Sequence, residues 1–263
     1  MKIKDWLFDH KKIQDADIIL AEVLGKDRTF LITHEGQELE DDELERANRM
    51  TVERENGMPL AYVLGYTYFY GRRFFVEPSL VLIPRPETED AIDLIKELKP
   101  KSILDVGTGS GCIGVTLAFE VPGSDILASD IHEQNFELAS KNINEIAKNE
   151  KLESRLSFVK SDLLRDIDQK FDVIVANLPY VDEKWGWLDK DALSHEPNDA
   201  LYAEDGGLKL IKELIDQTKE KQAAKYLVLE ADPCQHKDIV SYAQNHGFKH
   251  IKTRGFILVF ELV

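Results

Sequence analysis

Asn177-Leu178-Pro179-Tyr180 directly follows the apolar run Phe171–Ala176, and its residue types suit gripping a planar nitrogen group. An asparagine accepts through its carbonyl and donates through its amide, so it can hold another amide or an amino group. Pro179 forces Leu178 toward extended geometry and exposes the Leu178 carbonyl. Tyr180 supplies a flat face for stacking. Such a tetrapeptide alone also opens ordinary loops. A second group of residues gives it company: Asp105-Val106-Gly107-Thr108-Gly109-Ser110-Gly111 joins an apolar run to a helical pattern. Glycines there let the backbone turn tightly and approach a ligand, with helix-start N–H groups facing it. The spacing is neither the dinucleotide G-x-G-x-x-G nor a P-loop, which needs a Lys-Ser/Thr. Asp130 ends the next apolar run about twenty residues on, where an acid can accept both hydroxyls of a ribose; capping a helix is its other use. Asp162 ends a third run and could meet an adenine amino group or cap a loop.

These residues converge only if the apolar runs are neighbouring strands. From Pro100 onward short β-rich runs alternate with helical patterns. The strands are expected at Ile103–Val106, Ile126–Ser129, Leu156–Lys160, Phe171–Ala176, Tyr226–Glu230 and Phe256–Leu262, and the helices near Cys112–Phe119, Glu133–Lys148, Leu208–Lys219 and His236–Asn245. Alternation of this kind implies an α/β fold with a mostly parallel sheet covered on both faces. The close succession of the last two runs makes the last strand antiparallel. Ligands of such sheets bind beyond the carboxyl ends of the strands, near the point where strand order reverses.

Residues 1–60 look different. Asp15 can cap a helix carrying Ile18, Ile19, Val23 and Leu24, with Gly25 ending it, and Leu44, Ala47, Met50 and Val52 continue a helical pattern up to Gly57 and Pro59. The acidic run from Glu35 to Glu45 reads as a solvated helix face. Residues 61–85 form a linker: Tyr66 to Tyr70 and Arg73 to Val76 flank a Gly71-Arg72 turn, and Ser79 to Ile83 makes another extended run before Pro84-Arg85-Pro86. Residues 86–263 make the sheet domain.

The chain has 263 residues, 43% of them apolar, enough for a real core, and disorder is excluded. Its 33 basic against 49 acidic residues give a net charge of −16. That balance argues against affinity built on nucleic-acid phosphates. Two cysteines, Cys112 and Cys234, make no disulfide framework and no zinc spacing, and no metal is expected. With neither a signal-peptide pattern nor a membrane-length apolar stretch, the expectation is a cytoplasmic protein without membrane association.

Together these residues resemble the class I S-adenosylmethionine-dependent methyltransferases, in the amino-methylating branch with an Asn-x-Pro-Tyr/Phe signature. The resemblance narrows further. Ile83-Pro84-Arg85-Pro86-Glu87-Thr88-Glu89 looks like the I-P-R-P-E-T-E segment of the release-factor glutamine methyltransferases, the HemK/PrmC family. Pro59 to Gly65 is similar to its P-x-x-Y-x-x-G linker and Leu104–Ile113 to its cofactor turn. Glu196-Pro197-Asn198-Asp199-Ala200-Leu201, Asp205-Gly206-Gly207-Leu208, and Glu230 with Gln235 match later stretches. Two places depart. Leu178 stands where the family has the first proline of N-P-P-Y, and Arg254-Gly255-Phe256-Ile257 differs from the usual ending. N-L-P-Y is also the spelling of rRNA adenine dimethyltransferases, so an adenine-N6 methyltransferase acting on RNA or DNA is the alternative.

The resemblance implies a Rossmann-like class I methyltransferase sheet with a small N-terminal helical domain and a β-hairpin linker. It implies methyl transfer from S-adenosyl-L-methionine to the glutamine nitrogen of the Gly-Gly-Gln motif of peptide chain release factors. By the same resemblance Gly107, Thr108, Gly109, Ser110 and Gly111 hold the cofactor's methionine part, Asp130 its ribose, and Asp162 or Leu163 border its adenine. Asn177, Leu178, Pro179 and Tyr180 form the catalytic and substrate-binding motif, Asn177 also bordering the cofactor. Arg85, Glu87 and Thr88 cover the cleft. A monomer is expected, with residues 1–60 docking the substrate. His132 and His195 read as surface or packing residues.

Overall fold

The computed structural model describes residues 1–188 and 193–263. They divide into two compact units, one containing Met1–Tyr66 and the other Thr67–Leu188 with Glu196–Val263.

The first unit is helical: α1 (Ile3–Asp9), α2 (Ala16–Leu24), α3 (Arg28–Thr33), α4 (Asp41–Glu55) and α5 (Leu60–Leu64). Ile19, Leu20 and Val23 of α2 and Ala47 and Met50 of α4 turn one face each into a common core around the fully buried Trp6. The Trp6 indole N–H donates to Asn48 Oδ1 at 2.8 Å, so the buried ring leaves no orphan donor. Asp15 does not cap α2 with its side chain. It sits at φ +65 and its carboxylate accepts from Arg54 Nε at 3.0 Å, a longer-range partner than a cap would be. The acidic run is helical only from Asp41 on, because the Glu43 carboxylate accepts the Glu40 N–H and starts α4 there.

A hairpin follows, β1 (Tyr66–Phe69) and β2 (Arg72–Phe75), and its Phe69 and Phe74 are buried in the core of the second unit's sheet. In the run from Ser79 to Ile83, Ser79 and Leu80 lie in a turn, Val81 in a bend, and the last two residues carry no regular secondary structure. The sheet comprises β3 (Ser102–Val106), β4 (Asp125–Asp130), β5 (Arg155–Lys160), β6 (Phe171–Ala176), β7 (Ala224–Glu230), β8 (Phe248–Arg254) and β9 (Ile257–Leu262). Its order is β5-β4-β3-β6-β7-β9-β8. Strands β3 to β7 are parallel, β9 runs antiparallel to β7, and β8 pairs antiparallel with β9. Helices α6 (Glu89–Leu98), α7 (Cys112–Glu120), α8 (Asn135–Ile146), α9 (Asn198–Leu201), α10 (Lys209–Lys221) and α11 (His236–Asn245) complete it.

Alternation assigns the faces. Leu104, Ile174, Leu227, Leu229, Leu258 and Phe260 point into one core with Ile211 and Leu214 of α10 and Ile239 of α11. Their neighbours Ile103, Val173, Val175, Val228, Ile257 and Val259 point into the other, with Ile92 and Ile95 of α6 and Val115 and Leu117 of α7. Both faces are buried, which is why these strands read as continuous apolar runs. The sheet unit adds one strand, β8, and two helices, α6 and the short α9, to the sequence expectation. In β8 only Phe248 is buried, and the half-buried His250, Lys252 and Arg254 alternate with exposed Lys249, Ile251 and Thr253 on an edge, so the run lacks the apolar continuity that marked the others. Helix α6 follows directly on the P-R-P-E-T segment.

The chain winds outward from β3 to β4 and β5, then returns to β6 on the other side of β3. The reversal therefore falls between β3 and β6, and their carboxyl ends open where Gly107 and Asn177 begin.

Candidate active site

The turn after β3 is built by its hydrogen bonds. Gly107 and Thr108 N–H both donate to the Ser129 carbonyl at 2.9 Å, and Gly111 N–H donates to the Thr108 carbonyl at 2.8 Å. Gly109 N–H donates to Asp130 Oδ2 at 2.9 Å, while Asp130 Oδ1 accepts from the His132 N–H at 2.9 Å. The N–H groups of Gly107, Thr108, Gly109 and Gly111 are thus engaged within the protein, and what these residues offer is close approach. Gly111 stands at φ +82, and a Cβ there would lie 2.9 Å from that of Ala139. At Gly109 the same position is open. Thr108 and Ser110 are buried. The Thr108 hydroxyl donates to Asp105 Oδ2 at 2.7 Å, and the Ser110 carbonyl accepts from Asn142 Nδ2 at 2.9 Å.

Asp105 supports this turn from below. It is fully buried, and its Oδ2 also accepts the Gly114 N–H at 2.9 Å, while Oδ1 has no partner among the described residues. Burial, reinforced by the charge of Asp130, pushes its carboxyl up to about 6, against bonds from Thr108 and Gly114 that favour the ion.

Asn177 stands one residue beyond β6, half-buried, and its Nδ2 donates to Thr88 Oγ1 at 3.2 Å. Leu178 is buried, with a Cδ2 3.2 Å from where a Cβ on Gly107 would lie, so its side chain packs down on the glycine turn. The Tyr180 hydroxyl donates to Glu230 Oε1 at 3.2 Å, and the Tyr180 carbonyl accepts from Gln235 Nε2 at 2.8 Å. Gln235 Nε2 also reaches the Gly206 carbonyl at 2.8 Å. Burial and the Glu230 charge raise the Tyr180 hydroxyl well above its ordinary range, so it stays protonated.

The structure brings Thr88 into this motif through its bond with Asn177, and Arg85 lies beside it. The Arg85 guanidinium pairs closely with Glu196, whose second oxygen accepts the Ile83 N–H at 3.2 Å. Asp162 is paired with Arg165, and Leu163 is buried at φ +52. His132 Nε2 lies 2.8 Å from Asp199, on the exposed side. Glu196, Asp105 and Glu230 were not singled out by the sequence as site groups. For Asp105 and Glu230 a signal was available, since each is an acid flanked by buried apolar residues. Among the described residues no cluster of three or more His, Cys, Asp or Glu side chains is placed to hold a metal, and no helix is long and apolar enough to cross a membrane.

A glycine turn after the first sheet strand, an acid ending the second, and the β5-β4-β3-β6-β7-β9-β8 order define the Rossmann-like fold of class I methyltransferases. The fold matches a ribosomal protein L11 methylase from Lactobacillus delbrueckii subsp. bulgaricus at TM-score 0.50 and 22% identity, over 71% of this chain and 83% of that one. It matches the hMettl16 catalytic domain, solved in complex with MAT2A 3'UTR hairpin 6, at TM-score 0.54 and 20% identity, over 86% and 84%. The family model for the PrmC N-terminal domain matches residues 10–65, and that for the methyltransferase small domain matches residues 91–196. The release factor glutamine methyltransferase of Koribacter versatilis is 39% identical over 212 residues, covering 78% of this chain and 73% of that protein. That of Neisseria gonorrhoeae is 34% identical over 260 residues, covering 96% and 92%. The chain belongs to the release factor glutamine methyltransferase family.

Proposed function

We propose that this protein transfers a methyl group from S-adenosylmethionine to the side-chain nitrogen of the glutamine in the Gly-Gly-Gln motif of peptide chain release factors. The relatives' names support the target. The observation that carries the chemistry is the bond from Asn177 Nδ2 to Thr88, which leaves Asn177 Oδ1 as the amide's acceptor for a substrate N–H.

The residues present fit the cofactor. The space beside Gly109 is open, the Asp130 carboxylate stands next to it, and the buried Asp105 Oδ1 is an acceptor without a partner among the described residues. The turn from Gly107 to Gly111 would hold the methionine part, Asp130 the ribose, and Asp162 or Leu163 the adenine edge. When bound, S-adenosylmethionine supplies an electrophilic methyl group.

An amide nitrogen is a poor nucleophile because its lone pair is delocalised into the carbonyl. Asn177 Oδ1 and the Leu178 carbonyl accept its two hydrogens, which aims the nitrogen's π face and favours the polarised transition state. Tyr180 stacks on the glutamine side chain. Orientation of this kind is worth about 7–11 kcal/mol in well-aligned reactions. Attack by the neutral nitrogen would give an N-methylated amide cation that still carries both hydrogens, and this strong acid loses one of them to water, so no general base is needed. Arg85, Glu87 and Thr88 cover the cleft, and the helical unit, with its acidic stretch, docks a basic surface of the factor.

Label transfer from S-adenosylmethionine to a purified release factor tests this, with a Gly-Gly-Ala variant of the factor and ribosomal RNA in parallel. Label on the intact factor alone is expected. Label on RNA instead would transfer the assignment to an adenine methyltransferase.

A further inference from the structure

Gln235 carries a buried amide, 4% exposed, that ties together three stretches of chain distant in sequence. Its place is set locally. After β7 the chain makes a single 3-10 turn, Pro233–Gln235, opened by Asp232, whose Oδ1 accepts the Cys234 N–H at 2.9 Å. The Asp232 N–H in turn donates to Gln235 Oε1 at 3.2 Å. That bond settles which way the amide points, because an oxygen facing an N–H leaves the nitrogen on the other side. Nε2 has two hydrogens and meets two carbonyls, those of Tyr180 and Gly206, each at 2.8 Å.

The chain goes to some length to bring those carbonyls there. The Gly206 carbonyl belongs to a run, Asp205, Gly206 and Gly207, with φ of +58, +65 and +83. Three left-handed residues in succession strain the backbone, most of all at Asp205, which has a Cβ. The same run presses Gly207 so near the catalytic loop that a Cβ on it would lie 1.9 Å from the Tyr180 oxygen. The loop after β6, the left-handed run and the turn after β7 thus meet at the Tyr180 carbonyl. The far end of Tyr180 is tied too, its hydroxyl donating to Glu230 Oε1 at 3.2 Å. A main-chain bond at one end and a hydroxyl bond at the other leave the ring one direction to lie in.

We propose that Gln235 is a positioning residue for methyl transfer. By donating to the Tyr180 carbonyl it holds the Tyr180 ring at the angle that lays a substrate amide across it, with the amide hydrogens aimed at Asn177 Oδ1 and the Leu178 carbonyl. Gln235 acts through Tyr180 and touches neither substrate nor cofactor. The inference deepens the amide-methylation reading and rests on it.

Gln235→Met keeps the length of the side chain and removes both donors. A displacement of order 1 Å at a reacting group costs about 100-fold in rate. The kcat for release-factor methylation should therefore fall by roughly that factor, while KM for the factor and the dissociation constant of S-adenosylmethionine stay within about threefold. Ser154→Ala controls for lost stability. Ser154 is buried at the amino ends of β4 and β5, away from the site, where its hydroxyl donates to the Val121 carbonyl at 2.8 Å and accepts the Ser124 N–H at 3.3 Å. That variant should unfold more easily and keep the wild-type kcat. Tyr180→Ala deletes the ring and keeps the carbonyl, so on that background Gln235→Met should lower kcat by less than about threefold. A further measurement needs no variant: a Gly-Gly-Gln peptide, added to the wild type until the Tyr180 resonances shift, should also shift the side-chain amide resonances of Gln235. An undiminished kcat in Gln235→Met, an equal loss with and without the Tyr180 ring, or a Gln235 amide that stays put while Tyr180 responds overturns the proposal. A wild type that labels no release factor, or whose Tyr180 never responds to the peptide, overturns the amide reading instead, so the two failures are distinct.

Discussion

Gly206 and Gly207 both hold positive φ, +65 and +83, yet only one of them is hemmed in. A Cβ on Gly206 meets nothing within 4 Å. A Cβ on Gly207 would fall 1.9 Å from the Tyr180 carbonyl oxygen and 2.6 Å from Gln235 Nε2. Alanine at either position costs about 1–2 kcal/mol for the left-handed backbone. At Gly207 the overlap adds about 1–3 kcal/mol, and the displaced bond from Gln235 to the Tyr180 carbonyl about 1 kcal/mol more. Gly206→Ala should therefore lower the Tm of the sheet unit by about 4 °C, and Gly207→Ala by about 10–20 °C. The overlap is with backbone, so Tyr180 itself must move. A displacement of order 1 Å at the substrate motif costs about 100-fold in rate, and kcat should fall that far in Gly207→Ala at a temperature where both variants are folded, while Gly206→Ala stays near wild type. Thermal unfolding followed by circular dichroism, with label transfer on the same preparations, checks both. Equal Tm and equal kcat for the two variants would refute the packing argument, because the pair shares the backbone strain and differs in the contact.

Asn177→Ala should lower kcat about 10²–10³-fold with S-adenosylmethionine affinity by calorimetry nearly unchanged; an equal loss of affinity would show that Asn177 serves the cofactor. Asp105 binds its proton more tightly folded, at about 6, than at its ordinary 3.8, so its contribution to stability falls as pH rises through that window, by about 3 kcal/mol. Urea unfolding at pH 4 and pH 7 should show a shallower loss for Asp105→Asn than for wild type. Arg85→Ala leaves Glu196, whose side chain is 3% exposed, without its cation and should cost about 3 kcal/mol. Adding Glu196→Gln should recover at least half of that in chemical unfolding, since the amide needs no counter-charge.

The sheet's central strands were legible because two buried faces demand unbroken apolar runs, and Asn177 and Gly107 were legible because they terminate such runs. What escaped the sequence is what depends on a partner distant in the chain. Glu230 reads as the end of a strand, and only the fold sets it against Thr88 and Tyr180, 142 and 50 residues earlier. Asp15 looked like a local cap until Arg54, 39 residues on, supplied a stronger attraction. Strand β8 carries Lys249, His250, Lys252 and Arg254 because it forms the edge, and those charges hide it from a hydrophobicity reading.

The placement of β9 between β7 and β8 bears on how the protein is made. During synthesis β8 is made before β9, yet among the described residues its hydrogen-bonding neighbour in the sheet is β9. Until β9 arrives, β7 presents Leu227, Val228 and Leu229 along an open edge, the kind of surface that pairs with other chains or recruits a chaperone. The edge of β7 is thus left unsealed until β9 docks, and folding intermediates that lack β9 are where aggregation of this protein should concentrate.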